Sequence, residues 1–281
     1  MAFITRLSAS LADPWLVLIR HRQLIYRMVH QEIRTTYART LLGLYWIVLL
    51  PVFYVLVFVG VRFVALNRGA SDWLPDSATP ETTVWQAFAI VVGLIVFWLG
   101  TEILTRSPGS VRKNASLVTD LRFPVEVLPW ISVGLALFNF AVRFALFALA
   151  FTLLIGLPPW HIILTPVAVA PLVVLMIGVS YLFGAVGVFI ADLEYVIQIL
   201  MTALLLLSGI LFPLTLVPEP YRGWLYLNPI ATTVHEARKL SLFGEGADVL
   251  ALALILISGL ILAAVSCQLF RRLRPRFSDA L

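Results

Sequence analysis

Residues 106–129 read RSPGSVRKNASLVTDLRFPVEVLP, a basic, polar interruption between two long apolar stretches. Arg106, Arg112, Lys113 and Arg122 fall within it, while the hydrophobic stretches on either side are nearly free of charge. A positive connection between membrane spans belongs on the cytoplasmic side. The connection is also long enough for a short helix that begins after Ser107-Pro108-Gly109 and stops before Phe123-Pro124. A compact helix on that face is a docking surface. The stretch therefore points to a membrane protein worked by a soluble partner, not to a free-standing enzyme.

Composition agrees. Of 281 residues, 61% are hydrophobic and 12% charged, against roughly half and a quarter in soluble domains. One soluble core of this length cannot hide the excess, so the chain is read as polytopic. The net charge of +5 would suggest nucleic acid in a soluble protein. Here it follows from Lys and Arg on cytoplasmic loops, and no nucleic-acid partner is expected. Cys267 stands alone, which excludes an intrachain disulfide. Residues 1–40 carry six arginines and no short apolar core with a small-residue cleavage site, so the first span is expected to act as its own targeting signal.

Outward from the basic stretch, the pattern predicts an all-α membrane protein with six spans, at 41–65, 84–105, 126–155, 166–190, 196–212 and 249–270. Each reaches or approaches the ~20 apolar residues a crossing helix needs. Pro51, Pro129 and Pro171 are expected to kink their helices or to sit near the ends. Glu102 and Arg106 are spaced as an ordinary i, i+4 pair.

Asp13-Pro14 is a helix start, with Asp as cap and Pro at the first position. Over 14–38 the apolar Leu18, Ile25, Val29 and Ile33 recur at helical spacing, with Arg22, Arg27 and Arg34 on the other side. That pattern is too charged to cross a bilayer and suits an amphipathic helix in the interface, its arginines toward anionic lipid headgroups.

Lys and Arg counts set the orientation. The N-terminal segment, the 106–122 connection and the tail hold fourteen; the opposite segments hold five. Both termini are expected in the cytoplasm, which requires an even number of spans. Residues 107–122 then form the cytoplasmic coupling loop. The segment 213–246 is apolar but broken by Pro213, Pro218, Pro220, Gly223 and Pro229, with Trp224 and Tyr226 as interfacial anchors. It is read as short re-entrant or interface-parallel helices on the outer side, the second starting at Asn228-Pro229 with Ile230, Val234 and Ala237 on one face and including Arg238.

Catalytic patterns are missing. The four histidines, His21, His30, His161 and His235, lack the spacing of a zinc helix, and no metal is expected. No Ser sits in a Gly-x-Ser-x-Gly turn. The only lysines, Lys113 and Lys239, are not in a phosphate-binding loop, so the chain has no Walker A site of its own. Arg143 falls within the third span, where an ionisable group is a functional candidate that can equally be a pairing or snorkelling one. Tyr45, Trp46, Phe53 and Tyr54 in the first span and Trp98 in the second offer aromatic faces for sugar rings; with Arg143 they are the candidate pathway residues. Lipid-facing or packing roles remain open for each aromatic.

Four blocks resemble the permease subunit of ABC-2 type exporters, in particular the branch that exports O-antigen, capsule or teichoic acid. They are IRTTYARTLLGLYWIVLLPVF, KNASLVTDLRFPVEVLP, FPLTLVPEPYRGWLYLNPIATTVHEARKLSLFG and FRRLRPRFSDAL, in order along nearly the whole chain. One departure is the turn IADLE, where Ala191 holds a position at which the family often has Arg. The resemblance implies two copies of this chain around a central pathway in the bacterial cytoplasmic (inner) membrane, joined to two copies of a separate ATPase that holds ATP and Mg. It implies no cofactor on this chain and a lipid-linked polysaccharide substrate, usually on an undecaprenyl carrier. Arg112, Lys113, Asn114, Leu117, Asp120, Asp192 and Glu194 are the expected ATPase-coupling residues. An ABC-2 permease for drugs or lipids is the alternative; a membrane-embedded transferase or a secondary transporter is more distant.

Overall fold

The computed structural model describes residues 13–38, 43–46, 49, 52–54, 56–57, 60, 80–118, 123–208, 210 and 228–280. Among the described residues all regular structure is helical. We label the principal helices α1 (13–20), α2 (Arg22–Ala38), α3 (Pro80–Arg106), α4 (Leu128–Leu154), α5 (Thr165–Val186), α6 (Leu193–Leu207), α7 (Pro229–Arg238) and α8 (Val249–Leu273). Four stretches are long and apolar enough to cross a membrane: Val84–Arg106, Val125–Leu154, Trp160–Val186 and Val249–Arg276. They make this a multi-pass membrane protein. The expected first span lies mostly outside the described residues. The expected fifth is the apolar α6, whose 15 residues give about 22 Å of helix, short of a ~30 Å hydrocarbon core.

Helix α3 is apolar on every side, and such a helix belongs in the interior. It packs against α4, α5, α6 and α7, with Leu94, Leu99 and Ile103 fully buried. Trp85 and Phe88 meet Phe147 and Phe151 of α4 edge to face, at centroid separations of 5.3 to 5.9 Å. That geometry sets the positive ring edge against the negative face. The outer sides of α4 and α8 expose Leu149, Leu153, Ile261 and Val265, surfaces that suit lipid or another protein rather than water.

The closest helix pair is α5 with α8. A Cβ on Gly178 would lie 2.7 Å from the Ala263 nitrogen, and one on Gly259 would lie 2.7 Å from the Leu175 nitrogen. Small residues let two backbones approach where lipid gives no hydrophobic drive to associate. Pro171 sits inside α5, tolerated because neighbouring protein covers the interrupted turn. Pro129 is in the first turn of α4, where no amide bond is lost.

Helix ends sort into two groups. At one end Ser107 Oγ donates to Ser180 Oγ (2.8 Å), Tyr181 OH to the Glu126 carbonyl (2.9 Å) and Arg274 to Glu126 (3.1 Å). The N-terminal helices, the 107–118 connection and the basic tail share this end. At the other end Thr165 and Ser241 hydroxyls lie 2.8 Å apart.

Three expected bounds shift. The predicted 14–38 helix is interrupted at His21, and its second part packs its apolar side on α4, where Val29 lies against Gly134. The predicted fourth span ends at Val186 instead of 190, because Pro108 of the neighbouring connection packs against Gly187 and the chain turns there. The last span runs past 270 to Leu273 and continues in short turns to Ala280.

Candidate functional site: the coupling end and the buried polar cluster

The 107–118 connection is not a freely exposed loop. Ser107, Pro108, Gly109, Ser110 and Val111 are buried among α5 and its following turn. Only then does the chain form a 3-10 turn, Arg112–Asn114, and a short helix, Ala115–Val118. The predicted helix is therefore present but begins on a buried root. Asn114 Nδ2 donates to the Ser110 carbonyl at 2.8 Å, which ties the helix to that root. Lys113 is exposed and Leu117 is half-buried. Asp120 lies outside the described residues.

The turn before α6 meets this helix. Arg112 Nη2 donates to Glu194 Oε1 at 3.2 Å and to the Ala191 carbonyl at 3.3 Å. Both side chains are under a third exposed, and partial burial strengthens such a pair relative to a surface one. Asp192 is exposed; its carbonyl, not its side chain, accepts from Tyr195 and Val196. Of the two predicted acids, Glu194 thus touches the coupling helix. Ala191, where the sequence departs from the family habit, contributes through its backbone.

Arg22, Arg27 and Arg34 all lie on the exposed side of α2. On the packed side, Glu32 accepts from Arg106 at 3.3 Å and Tyr37 donates to Asn139 Oδ1 at 2.7 Å. The expected Glu102–Arg106 pairing does not form. Arg106 reaches α2, and Glu102 turns to α4, accepting from Arg143 Nη2 at 2.6 Å and from Asn139 Nδ2 at 2.8 Å. A buried arginine on the neighbouring helix outcompetes a half-exposed one on the same helix, since a buried charge must be paired. Burial, then the Glu102 carboxylate, push the Tyr37 phenol above its ordinary pKa.

Arg143 is buried and its guanidinium lies 5.0 Å from the Trp98 ring centroid, a cation–π distance. On the far side Trp98 meets Tyr54 edge to face at 5.6 Å. The structure thus joins three predicted pathway residues, Tyr54, Trp98 and Arg143, in one contact chain. Tyr45, Trp46 and Phe53 are exposed; Phe53 meets Tyr54 edge to face at 6.5 Å. Spacing carries no sign of Glu102, Asn139 and Tyr37 as partners; only the place of Arg143, one of few charges within a span, is a signal.

At the other end Asn228 caps α7 by accepting from the Ile230 amide at 3.0 Å, and Pro229 takes the first helical position. Ile230, Val234 and Ala237 are buried, as their spacing predicts. Arg238 enters the bundle and donates to the Ala89 carbonyl (2.8 Å) and the Ile210 carbonyl (3.1 Å). Gly93 makes room: a Cβ there would lie 2.9 Å from Arg238 Nη2. Burial lowers Arg238 to about 10, which leaves it charged at neutral pH. Trp224 and Tyr226 lie outside the described residues. Among the described residues no group of His, Cys, Asp and Glu could hold a metal ion.

The described residues form an all-helical multi-pass membrane bundle with a short helix rooted at its basic end. The pattern of the ABC-2 type transporter family matches residues 23–241, and the chain belongs to that family. It is similar to the O-antigen export system permease protein RfbA of Myxococcus xanthus, 24% identical over 272 residues that cover 94% of this chain and 97% of that one. It is also similar to the polysialic acid transport protein KpsM of Escherichia coli, at 25% over 246 residues covering 86% and 90%. RfbA of Klebsiella pneumoniae is 22% identical over 263 residues covering 92% and 95%.

Proposed function

We propose that this chain is the permease subunit of an ATP-driven exporter that moves a lipid-linked polysaccharide across the cytoplasmic membrane. The observation that carries it is end-to-end likeness, 94% of this chain and 97% of the relative, to an O-antigen export permease. In this reading two copies form the pathway and two copies of a separate ATPase supply ATP and Mg. The coupling surface is built by Arg112, Lys113, Asn114, Leu117 and Asp120 together with Asp192 and Glu194. The end that gathers the N-terminal helices, this surface and the tail faces the cytoplasm. Residues 213–246 form the re-entrant outer segment, and the aromatic side of the first span with Trp98 and Arg143 borders the pathway.

Deleting the gene in its host tests the reading. Surface glycan should be lost while lipid-linked glycan accumulates inside, measured by lectin labelling of whole and lysed cells. Normal surface glycan with loss of drug or lipid efflux would favour the alternative ABC-2 substrates.

A further inference from the structure

A cavity of about 530 Å³ opens where α1, the start of α4 and the basic tail meet. That volume lies within the roughly 300–1,000 Å³ of small-ligand sites. Four basic side chains from two distant parts of the chain converge on it: Arg20 and His21 from the break between α1 and α2, and Arg271 and Arg274 from the end of α8 and the turn that follows. Two acids also line it. Asp13 accepts from Arg271 Nη1 at 2.9 Å, and Glu126 accepts from Arg274 Nη1 at 3.1 Å. Arg271 engages Asp13 through Nη1, and Arg274 engages Glu126 through Nη1 and the Phe123 carbonyl through Nη2 at 3.1 Å; each guanidinium keeps further N–H donors. Arg20 and His21 have no side-chain partner among the described residues. The cavity is therefore cationic in excess, with forked donors that match a tetrahedral oxyanion.

Its rim is apolar on one side. Leu16 lines it and is 54% exposed; Ile19, one turn further along the same helix and outside the lining, is 67% exposed. An anion-binding cavity edged by exposed aliphatic side chains fits a group that carries both a phosphate and a hydrocarbon chain.

We propose that this cavity binds a phosphate ester, with Arg20, His21, Arg271 and Arg274 as the donors. The site is separate from the coupling surface, and its placement at the cytoplasmic boundary rests on the orientation given above; binding itself does not depend on what the protein exports.

The test uses the full chain purified in maltoside micelles, which contain no phosphate, and three probes: dioctanoyl phosphatidic acid, dioctanoyl phosphatidylcholine and inorganic phosphate. Binding is read by titration calorimetry for the native protein, an Arg20→Gln/His21→Gln variant, and an Arg272→Gln/Arg276→Gln control that removes exposed charge from the neighbouring tail. Phosphatidic acid should bind saturably, about fivefold or more weaker in the first variant and within about twofold in the control. If inorganic phosphate binds with the same variant dependence, the ester group alone is recognised. If only phosphatidic acid does so, the chains on Leu16 and Ile19 are needed and the source is lipid. Equal losses in the two variants, equal binding of phosphatidylcholine, or no saturable binding would overturn the proposal. Because the probes are not export substrates, a failure here is distinct from a failure of the exporter reading.

Discussion

Arg143 of α4 donates to Glu102 of α3 across 2.6 Å in the bundle interior. Asn139 and Tyr37 complete the cluster and draw in α2, so three helices are held at one point. Removing one charge leaves the other buried and uncompensated, at about 3–5 kcal/mol, whereas replacing both with apolar groups is often neutral. Arg143→Leu should therefore lower thermal stability in micelles sharply, and Arg143→Leu with Glu102→Leu should recover most of it. Equal losses from the single and double replacements would show that the pair does not carry the effect.

The Arg112–Glu194 contact predicts a functional loss without a folding loss. Both groups are partly exposed, so the pair is a small term in stability, but it ties the turn that begins the proposed coupling helix to the start of α6. Glu194→Ala should insert normally and lower export per ATP hydrolysed in the assembled complex. The exchange of both charges, Arg112→Glu with Glu194→Arg, should restore part of the ratio. If the exchange is no better than the single change, the contact does not transmit motion.

Arg238 supplies two donors to backbone carbonyls on separate segments. Lysine has a single point-like head and cannot place two donors in that fork. Arg238→Lys should therefore be nearly as damaging as Arg238→Leu, each leaving buried acceptors unsatisfied at about 1–3 kcal/mol apiece. Gly93→Ala should share the defect because its Cβ meets the guanidinium. Thermal unfolding of the three purified variants checks this ranking.

Sidedness can be read with thiols. Cys267, the only native thiol, is fully buried and gives a silent background. A cysteine at Lys113 should react with an impermeant maleimide only after the membrane is opened. One at Leu157, 90% exposed at the opposite end of α4, should react in intact cells. The reverse pattern would invert the protein.

The exposed aromatics Trp46 and Phe53 predict an export phenotype. Trp46 and Phe53 are seven residues apart, two turns of a helix, and so share a side; Tyr54 is instead packed on Trp98. Trp46→Ala with Phe53→Ala should reduce export and glycan-stimulated ATP hydrolysis without loss of assembly. Tyr54→Ala should lower stability first. An export assay in which Trp46→Ala with Phe53→Ala behaves as native would remove this side from the pathway.

Sequence alone determined the membrane class, the presence of the apolar helices α3, α4 and α8, a short helix after Gly109, and the Asn228-Pro229 start of α7. Each rests on local physics: apolar length, the intolerance of charge in hydrocarbon, and cap and proline chemistry that acts within one turn. Tertiary structure decided which charges pair. Glu102 and Arg106 are correctly spaced for each other, yet each finds its partner on another helix, and spacing along one helix carries no information about a competing partner. It also decided that residues 107–111 are a buried root, that the interface helix breaks at His21, and that Arg238 reaches back to α3. These depend on which surfaces meet after the helices assemble, and packing between distant segments leaves no periodic mark in the sequence that a single chain can reveal.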